Sequence, residues 1–222
     1  MTKSIEQQTN PLNKNWLLLS FISFIGFATF ATALLTKAQW LQSFDQQGTA
    51  FLRGTITSGK SAFFIPITEF GSTLLLIFMT VIVSFFLIGV KKDWGNGLWL
   101  IFNLAIGSGL INVLVKHIFL RPRPTIQHLV QQGGYSFPSG HSMGAMIFYS
   151  SLAYIFIHYI QSKPLKVLIW TVAIFLILSV GLSRIYVGVH FPSDVVAGYC
   201  LALTWMFVSI AYYPKFKQKI AK

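Results

Sequence analysis

Apolar residues run through this chain in long unbroken blocks, with the polar residues gathered between them, and no alternating stripe marks a half-buried strand. A helix needs about 20 mostly apolar residues to cross a bilayer. Six stretches qualify: 16–35, 63–90, 97–118, 141–160, 165–182 and 195–213. The pattern predicts an all-α integral membrane protein of six transmembrane helices with both termini cytoplasmic. Six spans consume most of residues 1–222, which leaves a single membrane domain and no room for a soluble one.

The connections differ in character. Residues 1–15 are polar and read as a short cytoplasmic segment. The longest connection, 36–62, holds Trp40, Leu41, Phe44, Phe51 and Leu52, spaced as in an amphipathic helix lying on the outer surface. "KKDWGNG" (91–97) and "QSKPLK" (161–166) are short turns punctuated by Gly, Asn and Pro. Residues 119–138 and 183–194 are dense in groups that chemistry can use. Two crossings separate these last two loops, so they face the same side, and the span count puts that side outside.

Composition agrees with the membrane reading: 54% of residues are hydrophobic and only 10% charged. The formal charge of +12 raises nucleic acid as a partner, but the basic residues sit at the ends of apolar blocks and form no binding stripe. Topology accounts for most of them. Lys3, Lys14, Lys91, Lys92, Lys163, Lys166, Lys215, Lys217, Lys219 and Lys222 all fall on the cytoplasmic side, as the positive-inside tendency requires. Ala31-Thr32-Ala33 resembles a signal cleavage site, yet the apolar stretch before it is longer than a signal core, and it is read as an uncleaved span. Cys200 is the only cysteine, which excludes an intrachain disulfide and a cysteine metal cluster.

Lys116, Arg121, Arg123 and Arg184 lie on the outer side and need a separate reason. Each alone reads equally as a long side chain reaching back to the interface. Lys116, Arg123 and Arg184 together, brought to one face by topology, would repel unless an anion sat among them, and a phosphate suits both the guanidinium fork and the ammonium point charge. "PSGH" (138–141) opens the fourth span. There Ser139 can cap, Gly140 permits close approach, and the unpaired N–H groups of a first helical turn favour an anion. His141 sits in that turn. His190 and Asp194 are four residues apart, a spacing that sets a carboxylate beside the ring in a helical turn, where it fixes the tautomer. Asp194 also reads as the cap of the sixth span. Two imidazoles allow one to attack phosphorus while the other protonates the departing oxygen. With five acidic residues in the chain and only Asp194 in these two loops, a metal site would be poorly supplied; no metal or cofactor is expected.

These residues carry a resemblance. "KHIFLRPRP" (116–124) reads Lys-x6-Arg-Pro, "PSGH" stands second, and "SRIYVGVHFPSD" (183–194) reads Ser-Arg-x5-His-x3-Asp. In this order they resemble the three signatures of the type 2 phosphatidic acid phosphatase superfamily, matched at every signature position across 116–194. The resemblance implies that His190 is the nucleophile of a phosphohistidine, Asp194 its orienting partner and His141 the general acid. It implies phosphate binding by Lys116, Arg123, Ser139, Gly140 and Arg184. Family spacing selects Arg123 and leaves Arg121 as a lesser candidate for substrate contact. Glu69, near the outer end of the second span, is a second such candidate, through Lys116 or a lipid head group. His117, His128 and His158 have no evident partner and count as background.

A site at the outer helix ends can take a phosphate whose lipid tail stays in the bilayer of the cell membrane. The small chain resembles the bacterial branch, which implies undecaprenyl pyrophosphate as the first substrate, with phosphatidylglycerophosphate or phosphatidic acid as alternatives. A carrier of lipid phosphates or small anions would use the same cations without chemistry, but gives no reason for His190, Asp194 and His141 together.

Overall fold

The computed structural model describes residues 14–220. The leading polar segment with Lys3, and Lys222 at the other end, lie outside the described residues, where every regular element is a helix. In chain order these are α1 (Lys14–Leu35), α2 (Gln39–Arg53), α3 (Ser58–Glu69), α4 (Thr73–Phe85), α5 (Trp94–Asn103), α6 (Asn112–Phe119), α7 (Gly140–Tyr159), α8 (Lys163–Tyr186) and α9 (Pro192–Ile220). Two π-helical segments, Phe86–Val90 and Leu104–Ile111, extend α4 and join α5 to α6.

The helix starts follow local chemistry. Thr57, Ser72, Asp93 and Ser139 each accept a backbone N–H from the first turn of α3, α4, α5 and α7, satisfying donors that have no partner inside the helix. Pro164 occupies the first turn of α8, where its missing N–H costs nothing. At the other end of α6, Leu120 takes a left-handed conformation with φ 48°, which turns the chain out of the helix just before the "RPRP" run.

Among the described residues, five helical stretches are long and apolar enough to cross a membrane: Lys14–Leu35, Thr73–Val90, Trp94–Phe119, Lys163–Tyr186 and Pro192–Ile220. The remaining expected span, the fourth, coincides with α7, which lies outside that set. It packs against α8, α9 and the Leu104–Ile111 segment, and its buried face includes Ser142, Gly144, Ser150 and Ser151. A helix wrapped by protein has less need of a lipid-compatible surface. The other helices show the reverse: Leu74, Phe78, Phe85, Val167 and Phe175 stand exposed on the outside of the bundle, where only hydrocarbon would welcome them.

The stretch expected as one span, 63–90, is two elements. It breaks at Phe70–Ser72, where Ser72 caps α4 and Gly71 lies close against the neighbouring helices: a Cβ there would come within 2.5 Å of Val180 Cγ1 and 3.1 Å of the His141 carbonyl oxygen. α3 packs instead against α8.

α2 is the helix that the 36–62 pattern suggests. Trp40, Phe44 and Phe51 are exposed, while Leu41, Asp45 and Arg53 are buried against the bundle. The two loops 120–139 and 187–191 meet at one end of the molecule, where the Leu129 N–H donates to the Val187 carbonyl at 2.9 Å. At the opposite end Asp93 accepts hydrogen bonds from Asn96, Tyr159 and Lys217.

Candidate active site

The chain leaves α8 at Tyr186, and the N–H groups of Val189 and His190 both turn back to the Arg184 carbonyl. This tight return buries His190, 2% exposed, under the start of α9. Its Nδ1 faces Asp194 Oδ2 at 3.3 Å and its Nε2 faces Arg123 Nη1 at 3.1 Å. Burial, and then the charges of Arg184, Arg123 and Lys116, hold the imidazole well below its ordinary pKa, so the ring is neutral.

Asp194 is fully buried. Its Oδ2 also accepts the Phe191 N–H at 2.9 Å, the back-bond of an N3 carboxylate to the residue before a helix. Capping and orienting are therefore done by one side chain. Its Oδ1 accepts from Arg121 Nη1 at 2.6 Å.

The second signature docks on the third by backbone. The Ser139 N–H donates to the Asp194 carbonyl at 2.9 Å, and a Cβ on Gly198 would stand 2.9 Å from the Ser139 carbonyl oxygen. Ser139 Oγ accepts from the Ser142 N–H and hydroxyl, so its side chain is spent on capping α7. Gly140 leaves the first turn open beside Asn112 and Lys116.

The cations are held by oxygen atoms of one short run, 132–136. Gln132 Oε1 accepts from Arg184 Nη2 at 2.6 Å. The carbonyls of Gly133, Gly134 and Tyr135 accept from Arg123, and those of Tyr135 and Ser136 from Lys116. Arg184 is anchored on its other side by Thr68 Oγ1 at 2.7 Å, and its buried Nε has no partner.

A cavity of about 480 Å³ begins at Lys116, Arg123, Gln132, Gly140, His141 and His190. It continues between α4 and α5 along Leu76, Ile77, Val81, Ile101 and Leu104, with Thr80, Ser108 and Asn112 as polar points. Ile77, Val81 and Ile101 are also exposed on the outside of the bundle, so the cavity opens sideways, where a bilayer would lie.

His141 and His190 thus share one cavity, together with Lys116, Arg123 and Gly140. Ser139 and Arg184 do not line it; Arg184 stands behind Gln132. Arg121 is not a substrate contact in this arrangement, because both ends of its guanidinium are engaged by Asp194 and Asp45 away from the cavity. Glu69 is exposed at the end of α3, outside the cavity lining, and Lys116 bonds backbone carbonyls rather than this carboxylate. His117, His128 and His158 each face the backbone carbonyl four residues earlier, at 2.8, 2.8 and 2.6 Å. Sequence reasoning missed Asp45, Thr68 and Gln132. Asp45 carried one signal, a carboxylate four residues after Leu41 and so on the same face of α2.

Fold and site together define a membrane-embedded hydrolase. The family model described as the PAP2 superfamily matches residues 96–218, and the chain belongs to that superfamily. It is 34% identical over 155 residues to phosphatidylglycerophosphatase B of Bacillus subtilis (strain 168), covering 68% of this chain and 74% of the relative. An undecaprenyl-diphosphatase of the same organism is 33% identical over 104 residues, 45% of this chain and 49% of that protein. Among solved structures, a transmembrane PAP2-type phosphatidylglycerolphosphate phosphatase from Bacillus subtilis superposes with a TM-score of 0.80 at 28% identity, over 89% of this chain and 96% of that one.

Proposed function

We propose that the protein releases inorganic phosphate from lipid phosphates or pyrophosphates at the outer face of the cell membrane, through a phosphohistidine on His190. The observation that carries this reading is the placement of His190 Nε2 toward Arg123, with Nδ1 on Asp194, at the head of a cavity that runs into an apolar, sideways-open groove.

In the first step His190 Nε2 attacks phosphorus. A P–N bond forms as the bond to the leaving oxygen breaks, and His141 supplies the proton that oxygen needs. In the second step water attacks phosphorus, His141 takes its proton, the P–N bond breaks, and inorganic phosphate leaves. Charge on the transferring group is met by Lys116 and Arg123, by the free N–H groups at the start of α7, and by Arg184 once the Gln132 amide moves aside. Ser139 acts through the α7 cap.

The lipid remains in the groove between α4 and α5. Undecaprenyl pyrophosphate suits a site facing outward, and that orientation is supported by Lys91, Lys92, Lys163, Lys166, Lys215, Lys217 and Lys219 at the far end. Phosphatidylglycerophosphate stands beside it, favoured by the relative matched over 68% of the chain.

The test is a panel of lipid phosphates and pyrophosphates offered to the purified chain in detergent, with released phosphate measured. Release from at least one lipid, lost in His190→Ala, is expected. No release from any of them, or undiminished release by His190→Ala, would refute the proposal; the latter would favour a carrier.

A further inference from the structure

The buried charges around Asp194 extend away from the cavity to the surface helix. Arg121 Nη1 donates to Asp194 Oδ1 at 2.6 Å, and its Nη2 donates to Asp45 Oδ2 at 2.7 Å. Side-chain exposure along this chain is 0% at Asp194, 12% at Arg121 and 6% at Asp45. Ser193 closes the figure: its N–H donates to Asp45 Oδ1 and its hydroxyl meets Asp45 Oδ2, each at 2.8 Å, while Arg121 Nη1 donates to the same hydroxyl. The guanidinium carbon of Arg121 also lies 4.0 Å from the centre of the Phe191 ring. Every residue here is either in α2 or within four positions of His190, apart from Arg121 itself.

Burial makes this arrangement demanding. An ionised Asp194 needs a countercharge, Arg121 needs its remaining N–H groups satisfied, and Asp45 completes the pairing. A neutral group at 45 would leave the guanidinium with one anion. Arg121 would then draw harder on Asp194, swing the carboxylate away from His190, and weaken its hold on the Nδ1 proton. α2 is also seated where it can impose this geometry, because Gly48 packs on Pro192 so closely that a Cβ would stand 2.8 Å from the proline ring.

We propose that Asp45, on the surface helix α2, is a positioning residue for the His190 imidazole, acting through Arg121 and Asp194. It touches neither substrate nor the reacting atoms. As a contribution to turnover, this rests on the hydrolytic reading above.

Phosphatidic acid in detergent micelles and nitrogen NMR of the His190 ring test it together. Asp45→Asn is expected to lower kcat about tenfold to a hundredfold, by analogy with the loss of outer partners that orient metal-bound histidines, with KM within about twofold. In an Asp194→Asn background the same change should add nothing, since its route is already cut. The ring spectrum should move from the Nδ1–H tautomer toward a mixture. Wild-type kcat in Asp45→Asn, or a full further loss in the double variant, overturns the proposal. If Asp45→Asn does not fold, Asp45→Glu keeps the charge but displaces the carboxylate by one methylene. A lower kcat at unchanged KM is then expected, and wild-type kcat overturns the idea. If the wild-type protein hydrolyses no lipid phosphate, the proposed function fails, and the ring spectrum alone decides: no change on Asp45 substitution rejects the positioning role.

Discussion

His190 Nε2 stands 3.1 Å from Arg123 Nη1. A guanidinium can only donate, so the ring nitrogen turned toward it bears the lone pair, and the ring proton lies on Nδ1 facing Asp194 at 3.3 Å. The nitrogen proposed to attack phosphorus is therefore in its nucleophilic tautomer without substrate, and a phosphate entering between the two side chains would take over the Arg123 donor.

This relationship has a pH consequence. A neutral His190 is required, and burial plus three cations hold its pKa well below the ordinary value. The ring stays competent as pH falls through the usual histidine range, and rate is lost only on protonation below that depressed value. Arg123→Gln removes one of the depressing charges. The acid limb of its kcat/KM profile should shift upward in pH, though not to the unperturbed value, because burial is the larger cause. An unshifted acid limb would remove Arg123 from the electrostatics of the ring.

Asp194→Asn replaces an acceptor for Nδ1–H with a group that can present N–H instead. In the Ser-His-Asp case such a change costs about 10⁴ in kcat; a loss of at least about 10² is expected here, since Phe191 N–H still helps hold the side chain in place. Steady-state kinetics check this, and wild-type kcat would remove Asp194 from the mechanism.

Asp93 offers a control at the opposite end. Burial would raise its pKa, but hydrogen bonds from Tyr159 and Asn96 and the Lys217 charge outweigh it and hold the carboxyl below its ordinary value. Its stabilisation is thus present above the usual carboxylate pKa and is lost as pH falls through the depressed one. Asp93→Ala should cost about 1–3 kcal/mol, from the lost cap and unpaired partners, with kcat unchanged. Thermal unfolding in detergent at neutral pH and kinetics on the same preparation separate the two.

The groove predicts dependence on the lipid tail. Val81 lines the cavity between α4 and α5, so Val81→Trp should raise KM for long-tailed lipid phosphates while short-chain phosphates react as before. Equal effects on both would place the tail elsewhere.

Much of this was legible in the sequence, for reasons of range. Ser139 as a cap and the four-residue separation of His190 and Asp194 are local relations that spacing states directly. The helix at 39–53 was readable from its aromatic residues, because an interfacial helix displays its pattern without tertiary help. The break at Gly71–Ser72 had a local signal, a glycine followed by a capping serine, but the apolar run on both sides masked it. The close packing of Val180 on Gly71, more than a hundred residues away, had no local signal at all. Asp45 and Arg121 were not legible as a pair, since nothing in spacing links positions 76 residues apart. Its charge and its place before a proline beside the signature arginine left Arg121 as a lesser candidate for substrate contact; the fold supplies two buried carboxylates for it instead. Gln132 was hidden likewise, because an amide in a polar loop carries no mark of the arginine it will meet.

The most direct measurement is a rapid acid-free quench of the purified chain turning over a radiolabelled lipid phosphate, followed by peptide mapping. The account predicts an alkali-stable, acid-labile label on the peptide that contains His190, absent in His190→Ala. Sustained turnover with no labelled histidine, under conditions where a phosphoenzyme would accumulate, would contradict it.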